Sequence, residues 1–161
     1  MQKDFDAMKH EKDVWTNFVS AAKKVPPISD IKESDRAAVQ AALKSYEALS
    51  AGKKYDVQMT KDAMDEALMI LDHPNISIQS GQVRKALKNG GTSTKRIGLK
   101  KGKSLKIKAR SSTGAGIIYK SSRPKVAKVT KNGAVKALKK GKVTITVTSK
   151  KSTMKVLIKV K

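Results

Sequence analysis

The 161-residue chain has no cysteine, which excludes disulfides, thiolate metal sites and cysteine nucleophiles. Aromatics are scarce. Phe5, Trp15, Phe18, Tyr46, Tyr55 and Tyr119 are the whole set, and all but Tyr119 lie in the first part of the chain. No apolar run approaches the roughly 18 residues that span a bilayer. The opening Met1-Gln2-Lys3-Asp4-Phe5 has no apolar signal core, so either the protein is not exported or the sequence begins after a removed signal. Acidic charge is missing from most of the chain. The last carboxylate is Asp72, and Ser93–Lys161 carries 22 of the 36 Lys and Arg and none of the 13 Asp and Glu. Met1–Thr92 is left with 14 basic and 13 acidic residues, so nearly all of the formal charge of +23 belongs to the second part. A block this one-sided attracts polyanions, among them nucleic acid, teichoic acid, anionic polysaccharide and acidic lipid.

What is present divides at a change of period. A length of 161 fits one ordinary domain or two small ones. In the first part Phe5, Met8, Trp15, Phe18, Val19 and Ala22 recur at helical spacings, and Val25-Pro26-Pro27 ends the run. A second helix starts near Ser34 as N-cap, with Asp35 in its first turn. Its stripe is Val39, Leu43 and Tyr46, flanked by Ala42 and Leu49, and Gly52 marks its end. Thr60 caps a third, with Ala63, Met64, Ala67, Leu68 and Leu71 as apolar face and Pro74 beyond it. Three short helices with tight connections predict an antiparallel three-helix bundle over residues 1–75. Its stripes serve as the bundle core or as a groove for a partner helix. Residues 76–94 read as a linker, with one short helical turn around Val83, Ala86 and Leu87 and a flexible Gly90-Gly91-Thr92-Ser93-Thr94.

From residue 95 the period becomes two. Leu105, Ile107 and Ala109 alternate with basic residues; Val143, Ile145 and Val147 alternate with threonines; Met154, Val156, Ile158 and Val160 follow the same pattern. Turn signals separate the runs at Lys101-Gly102, Thr113-Gly114, Arg123-Pro124, Asn132-Gly133 and Lys140-Gly141, and both residues of Asn132-Gly133 tolerate the positive φ of a tight hairpin. The expected strands, A to G, are 96–99, 104–110, 117–121, 126–129, 134–138, 143–149 and 153–160, the count and spacing of a β-sandwich. The fold class is therefore α+β in separate domains: a helical bundle followed by an all-β sandwich over 95–161.

The order of motifs over 95–161 resembles the group 2 bacterial immunoglobulin-like domain. The resemblance rests on Leu99-Lys100-Lys101-Gly102-Lys103-Ser104-Leu105, on Ser121-Ser122-Arg123-Pro124-Lys125-Val126-Ala127-Lys128-Val129, on Asn132-Gly133-Ala134-Val135-Lys136-Ala137, and on Gly141 with the strand Val143–Val147. It implies an immunoglobulin-like Greek-key sandwich, usually a non-catalytic module of bacterial surface or phage virion proteins. Tyr119 stands near a position where the family often has tryptophan. Some members are linked to calcium, but a segment without one carboxylate lacks the anionic oxygens such a site needs. The helical part, through Asp35–Val39 and Ser45–Ser50, is similar to helical modules of Gram-positive surface proteins.

No catalytic constellation is legible. His10 and His73 lack metal-ligand spacing, and carboxylates such as Asp65–Glu66 and Asp4–Asp6 are neighbours on helices rather than pairs across a cleft. Gly114-Ala115-Gly116 does not lead into a phosphate-binding helix. No enzyme, metal or cofactor is expected. The candidate site is a charge cluster. The string Leu-Lys-Lys-Gly-Lys occurs at Leu99–Lys103 and Leu138–Lys142, in the A–B and E–F turns. Strands of alternating direction bring these turns and the C–D turn to one pole, distal to the helical bundle. Lys100, Lys101, Lys103, Arg123, Lys125, Lys139, Lys140 and Lys142 are thus the candidate polyanion-binding residues, although lysine-rich turns also guard sheets against aggregation. The expected partner is an anionic polysaccharide, wall polymer or protein on a cell or virion surface. Only Arg96, Arg110 and Arg123 of the 22 basic residues are arginine, and Tyr119 is the only aromatic there, so nucleic-acid binding would be non-specific. The leading expectation is an extracellular or cell-surface adhesion, spacer or anchoring module. A phage virion accessory protein and a nucleic-acid-binding protein are the alternatives.

Overall fold

The structure, a computed structural model, describes residues 2–87 and 96–161. The chain forms two compact units, Met1–Leu71 and Asp72–Lys161.

The first unit is helical. Helix α1 spans Gln2–Ala22, single 3-10 turns follow at Ile28–Asp30 and Glu33–Asp35, and α2 Arg36–Glu47, α3 Ala51–Asp56 and α4 Gln58–Asp72 complete it. The three long helices stand where the apolar spacing puts them, and α3 is an addition. Gly52, expected to end the second helix, lies inside α3 and has no positive φ. Ser34 is not a cap either. Its hydroxyl donates to Asp35 Oδ1 at 3.3 Å, and Asp35 Oδ2 accepts the Lys32 N–H at 2.9 Å. The core joins Phe18, Ile31, Val39, Ala42, Tyr46, Leu49, Met64, Ala67 and Leu71. Phe18 lies between Trp15, at 5.9 Å, and the edge of Tyr46, at 6.2 Å, and Tyr46 Oη donates to Gln58 Oε1 at 3.0 Å. The α1 stripe is used over only half its length: Phe5 is 64% exposed and Met8 71%. Helix α1 has 21 residues against 12 in α2, its packing partner, so at about 1.5 Å per residue it outruns α2 by roughly 13 Å.

The second unit is a two-sheet sandwich. Its strands are β1 Ile76–Ile78, β2 Ile97–Leu99, β3 Ser104–Lys106, β4 Ala109–Ser111, β5 Ile118–Ser121, β6 Ala127–Val129, β7 Ala134–Ala137, β8 Gly141–Ser149 and β9 Ser152–Val160, with a helical turn α5 at Gly81–Arg84. One sheet has the order β2-β9-β8-β5, the other β3-β7-β6, and β1 pairs with β4. All pairs are antiparallel except β2 with β9. In β8 and β9 the alternation works as the sequence implies. Val143, Ile145 and Val147, and Met154, Val156, Ile158 and Val160, turn inward to meet Leu105, Ile107, Ala127, Val135 and Ala137 of the facing sheet and its flanks. A fully buried aliphatic side chain of this size contributes about 1.5–3 kcal/mol, so this double row holds the domain together.

The boundary differs from the expected one. Residues 76–87, read above as linker, add β1 and α5 to the second unit, and Val83 is fully buried in its core. The remainder of that stretch, including Gly90–Thr94, lies outside the described residues. The single strand expected over 104–110 divides into β3 and β4 for the same reason. Ser80 Oγ donates to Lys106 O at 2.7 Å and accepts Lys108 N–H at 2.8 Å, and Gln79 N–H reaches Lys108 O at 2.8 Å. These bonds draw the chain away from β7, and β4 pairs with β1 instead. The Asn132-Gly133 turn also takes another form. Only Gly133 has positive φ, at +73°, and Gly133 N–H bonds Thr130 O at 2.9 Å, so a three-residue turn closes on a left-handed glycine.

Candidate functional site

Three turns meet at one end of the sandwich, and backbone bonds fix them there. In the β2–β3 turn, Gly102 takes φ +81°, which lets Lys103 N–H close on Lys100 O at 3.0 Å. Gly102 N–H then donates to Ala137 O at 2.9 Å, and Ala137 N–H to Lys103 O at 3.0 Å, so this turn is tied to the end of β7. The β7–β8 turn begins at that point. Leu138 and Lys139 N–H groups share Val126 O, at 2.8 and 3.1 Å, which ties it to the β5–β6 connection. Gly141 seats close against Val126, where a Cβ would come within 3.3 Å of its Cγ2. The β5–β6 connection is held by Arg123 O, which accepts Val126 and Ala127 N–H at 2.9 and 3.1 Å. A reciprocal pair between Ser122 and Thr144, both bonds 2.9 Å, anchors it to β8.

All eight candidate residues are exposed at this end: Lys100, Lys101 and Lys103 on the first turn, Arg123 and Lys125 on the second, Lys139 and Lys140 on the third, and Lys142 at the start of β8 just beyond it. The topology therefore brings them to one end, as the alternation of strand directions implies. Two further lysines belong to that end and were not singled out in the sequence. Lys101 N–H donates to Lys161 O at 3.0 Å, which puts the end of β9 against the β2–β3 turn, and Lys159 stands opposite Lys142 in the β8–β9 register. The cue was available, since the last strand must run toward the same end as the first.

No Asp or Glu follows Asp72, so no acidic side chain within 73–161 neutralises this end. At the other end, Lys151 in the β8–β9 turn pairs with Asp72 through both backbone and side chain. Tyr119 is half-buried. Its hydroxyl donates to Ile107 O at 3.1 Å and accepts Ala109 N–H at 3.2 Å, so the ring is a structural fixture rather than a stacking platform. In the first unit an apolar groove of about 470 Å³ is lined by Ala22, Val25, Pro26, Pro27, Ile28, Thr60, Ala63 and Met64, which offers shape but no titratable group. Among the described residues no group of three or more His, Asp or Glu is placed to hold a metal ion, and no helix is long and apolar enough to cross a membrane.

Residues 91–160 match the sequence model of the bacterial Ig-like domain (group 2). No curated protein matches the chain. Solved structures similar to part of it include a GH10 xylanase from termite gut that contains a bacterial Ig-like domain, 24% identical over 39% of this chain and 18% of that one, with a TM-score of 0.35. Domains 4 and 5 of the S-layer protein SbsC are 19% identical over 53% and 50% of the two chains, with a TM-score of 0.38. Intimin in its complex with Tir90 is 26% identical over 55% and 46%, with a TM-score of 0.37. The chain spans no more than half the length of each of these.

Proposed function

We propose, from the premise that residues 91–160 are a bacterial Ig-like domain of group 2, that the chain is a non-catalytic module of a bacterial cell surface and that the basic end of its sandwich contacts an anionic envelope polymer or glycan. The observation that carries this reading is the convergence of three basic turns on one end of a segment that has no Asp or Glu. Lysine suits such a partner. Its ammonium is a compact, strongly hydrated charge on a flexible stem, able to follow a polymer whose anionic groups have no fixed planar geometry. The contact would be long-ranged and screened by salt over about 8 Å at physiological ionic strength.

The test is binding of the full chain to teichoic acid, a heparin-like glycan and duplex DNA across a salt series, beside Lys139→Ala/Lys140→Ala/Lys142→Ala. The reading expects retention of one polymer near physiological salt, weakened at least threefold in the variant, since exposed ionic contacts contribute about 0.2–1 kcal/mol each. Equal binding to all three polymers, erased by salt and unchanged in the variant, would leave the domain a charged spacer.

A further inference from the structure

The solvent face of the four-stranded sheet carries an arrangement of lysines that edge protection does not explain. Side chains facing outward are Lys142, Thr144, Thr146 and Thr148 on β8, Thr153, Lys155, Leu157 and Lys159 on β9, and Ile118 and Lys120 on β5. The registers stack them in rows. One row reads Gly98, Lys159, Lys142 across β2, β9 and β8; another reads Lys155, Thr146, Lys120 across β9, β8 and β5. Lys161 joins the first row. A Cβ on Gly98 would lie 3.6 Å from Lys161 Cε and 3.8 Å from its Nζ, so that side chain lies over the bare glycine. The two rows are four residues apart along the strands, about 13 Å, and Lys155 and Lys120 are two strands apart, about 10 Å.

Lysines that guard a sheet against edge-to-edge pairing belong on edge strands. Here the edges are β2 and β5, whereas Lys142, Lys155 and Lys159 sit on the interior strands β8 and β9. Lys142 and Lys159 moreover stand directly opposite each other, a like-charge pairing that disfavours a sheet; Lys128 and Lys136 repeat it on the three-stranded sheet, but without the rows of threonines and the further Lys155 and Lys161 found here. No Asp or Glu side chain within 73–161 relieves it. Central lysines held in opposition with threonine hydroxyls between them make sense where an anionic ligand completes the surface.

We infer that this face, continuous through Lys142, Lys159 and Lys161 with the basic end of the sandwich, is a binding surface for a linear anionic polysaccharide lying across the sheet. The lysines meet its charged groups, and Thr144, Thr146, Thr148 and Thr153 exchange hydrogen bonds with its hydroxyls. The inference rests on the polyanion reading of the basic end and extends it to a defined face and a class of ligand. Nucleic acid fits less well, because the face holds no arginine for bidentate phosphate or base contacts and no aromatic on which a base could stack.

The full chain is titrated with heparin, with polygalacturonate and with duplex DNA at physiological salt, and its melting temperature is followed in parallel. Lys120→Thr/Lys155→Thr removes two charges from the face while keeping strand-compatible side chains. Lys85→Gln/Lys131→Gln removes the same charge from exposed turn positions outside both sheets. Circular dichroism establishes that each variant is folded. The expected result is about tenfold weaker polysaccharide binding by the first variant and less than twofold by the second, from two exposed ionic contacts at up to about 1 kcal/mol each. Saturating polysaccharide should raise the melting temperature of the wild-type chain, and less so for Lys159→Thr, in which no like-charge pair remains to be neutralised. Equal losses in the two double variants, or tighter binding of DNA than of either polysaccharide, overturn the inference. Unaltered binding by Lys120→Thr/Lys155→Thr together with loss in Lys100→Ala/Lys139→Ala/Lys140→Ala would confine the site to the turns. Failure of the wild-type chain to bind either polysaccharide while teichoic acid is retained would overturn this inference and leave the reading of the basic end standing, whereas failure with all three would remove both.

Discussion

Substituting Gly133 by alanine should destabilise the sandwich far more than the same change at Gly102, although both glycines have left-handed backbones, with φ +73° and +81°. A side chain in that region costs roughly 1–2 kcal/mol wherever it occurs. At Gly102 that is the whole effect, because nothing lies within 4 Å of the new Cβ. At Gly133 the Cβ would fall 2.2 Å from Ile107 O and 2.8 Å from Tyr119 Cζ. Neither neighbour yields easily. Ile107 O is held by the Tyr119 hydroxyl at 3.1 Å, and Ile107 N–H bonds Gly133 O at 2.8 Å. Separating them sacrifices two hydrogen bonds at about 1 kcal/mol each and adds overpacking strain of about 1–3 kcal/mol. The difference between the two variants should therefore be about 3–5 kcal/mol, or roughly 12–40 °C in melting temperature for a unit of this size.

The assay must report the right unit. Trp15, the single tryptophan, belongs to the helical unit, so its fluorescence follows the wrong transition and serves as an internal control. Hydrogen exchange of the β8 and β9 amides follows the sandwich directly. Gly133→Ala should accelerate it strongly, Gly102→Ala slightly, and the Trp15 transition should stay in place in both. Equal losses in the two variants would show that the turn can shift away from Ile107 and that the close approach does not hold the domain.

Two further substitutions probe the limits of the sandwich. Val83→Ala should cost about 2 kcal/mol through lost burial and the cavity left behind, read by the same exchange measurement, because Val83 is fully buried in the second core; no change would return 76–87 to the status of a tether. Ser149→Ala should stabilise the sandwich by about 1 kcal/mol in a denaturant melt, since Ser149 Oγ is buried without a hydrogen-bond partner among the described residues and its desolvation is uncompensated; destabilisation would mean that the hydroxyl is satisfied in solution.

How much could be read from the chain depended on the range over which each signal acts. The two long strands were legible because inward and outward positions alternate at the shortest possible period, and β8 and β9 bury Val143, Ile145, Val147, Val156 and Ile158 as that period demands. The split between β3 and β4 was not, because nothing in 104–110 announces it. Its cause is the Ser80 hydroxyl, inserted between Lys106 and Lys108 from more than twenty residues away. The same long-range pairing brings 76–87 into the second core, where the local signal is five scattered apolar residues and a weak turn. Helix α1 marks a different limit. Phe5 and Met8 continue the stripe of Phe18 and Val19, but periodicity fixes which face a residue occupies and not whether a neighbour reaches it, and α2 is too short to do so.

The charged residues divide along the same line. That the turns at Lys100–Lys103, Arg123–Lys125 and Lys139–Lys142 share one end follows from strands that reverse direction, a rule that needs only their order in the chain. What the lysines between those turns mean requires the order of strands in the sheet. Lys142, Lys155 and Lys159 occupy polar positions of an alternating pattern, and on an edge strand their repulsion toward other chains would be reason enough for them. The sequence β2-β9-β8-β5 places them inside the sheet, where no edge needs guarding and where Lys142 and Lys159 occupy directly opposed positions. Lys128 and Lys136 on the other sheet show that like-charge register alone does not mark a site; its combination here with rows of threonines and with continuity to the basic end, in a segment without Asp or Glu, is the argument for a ligand. It makes the interior lysines, more than the numerous ones in the turns, the residues on which the binding reading stands or fails.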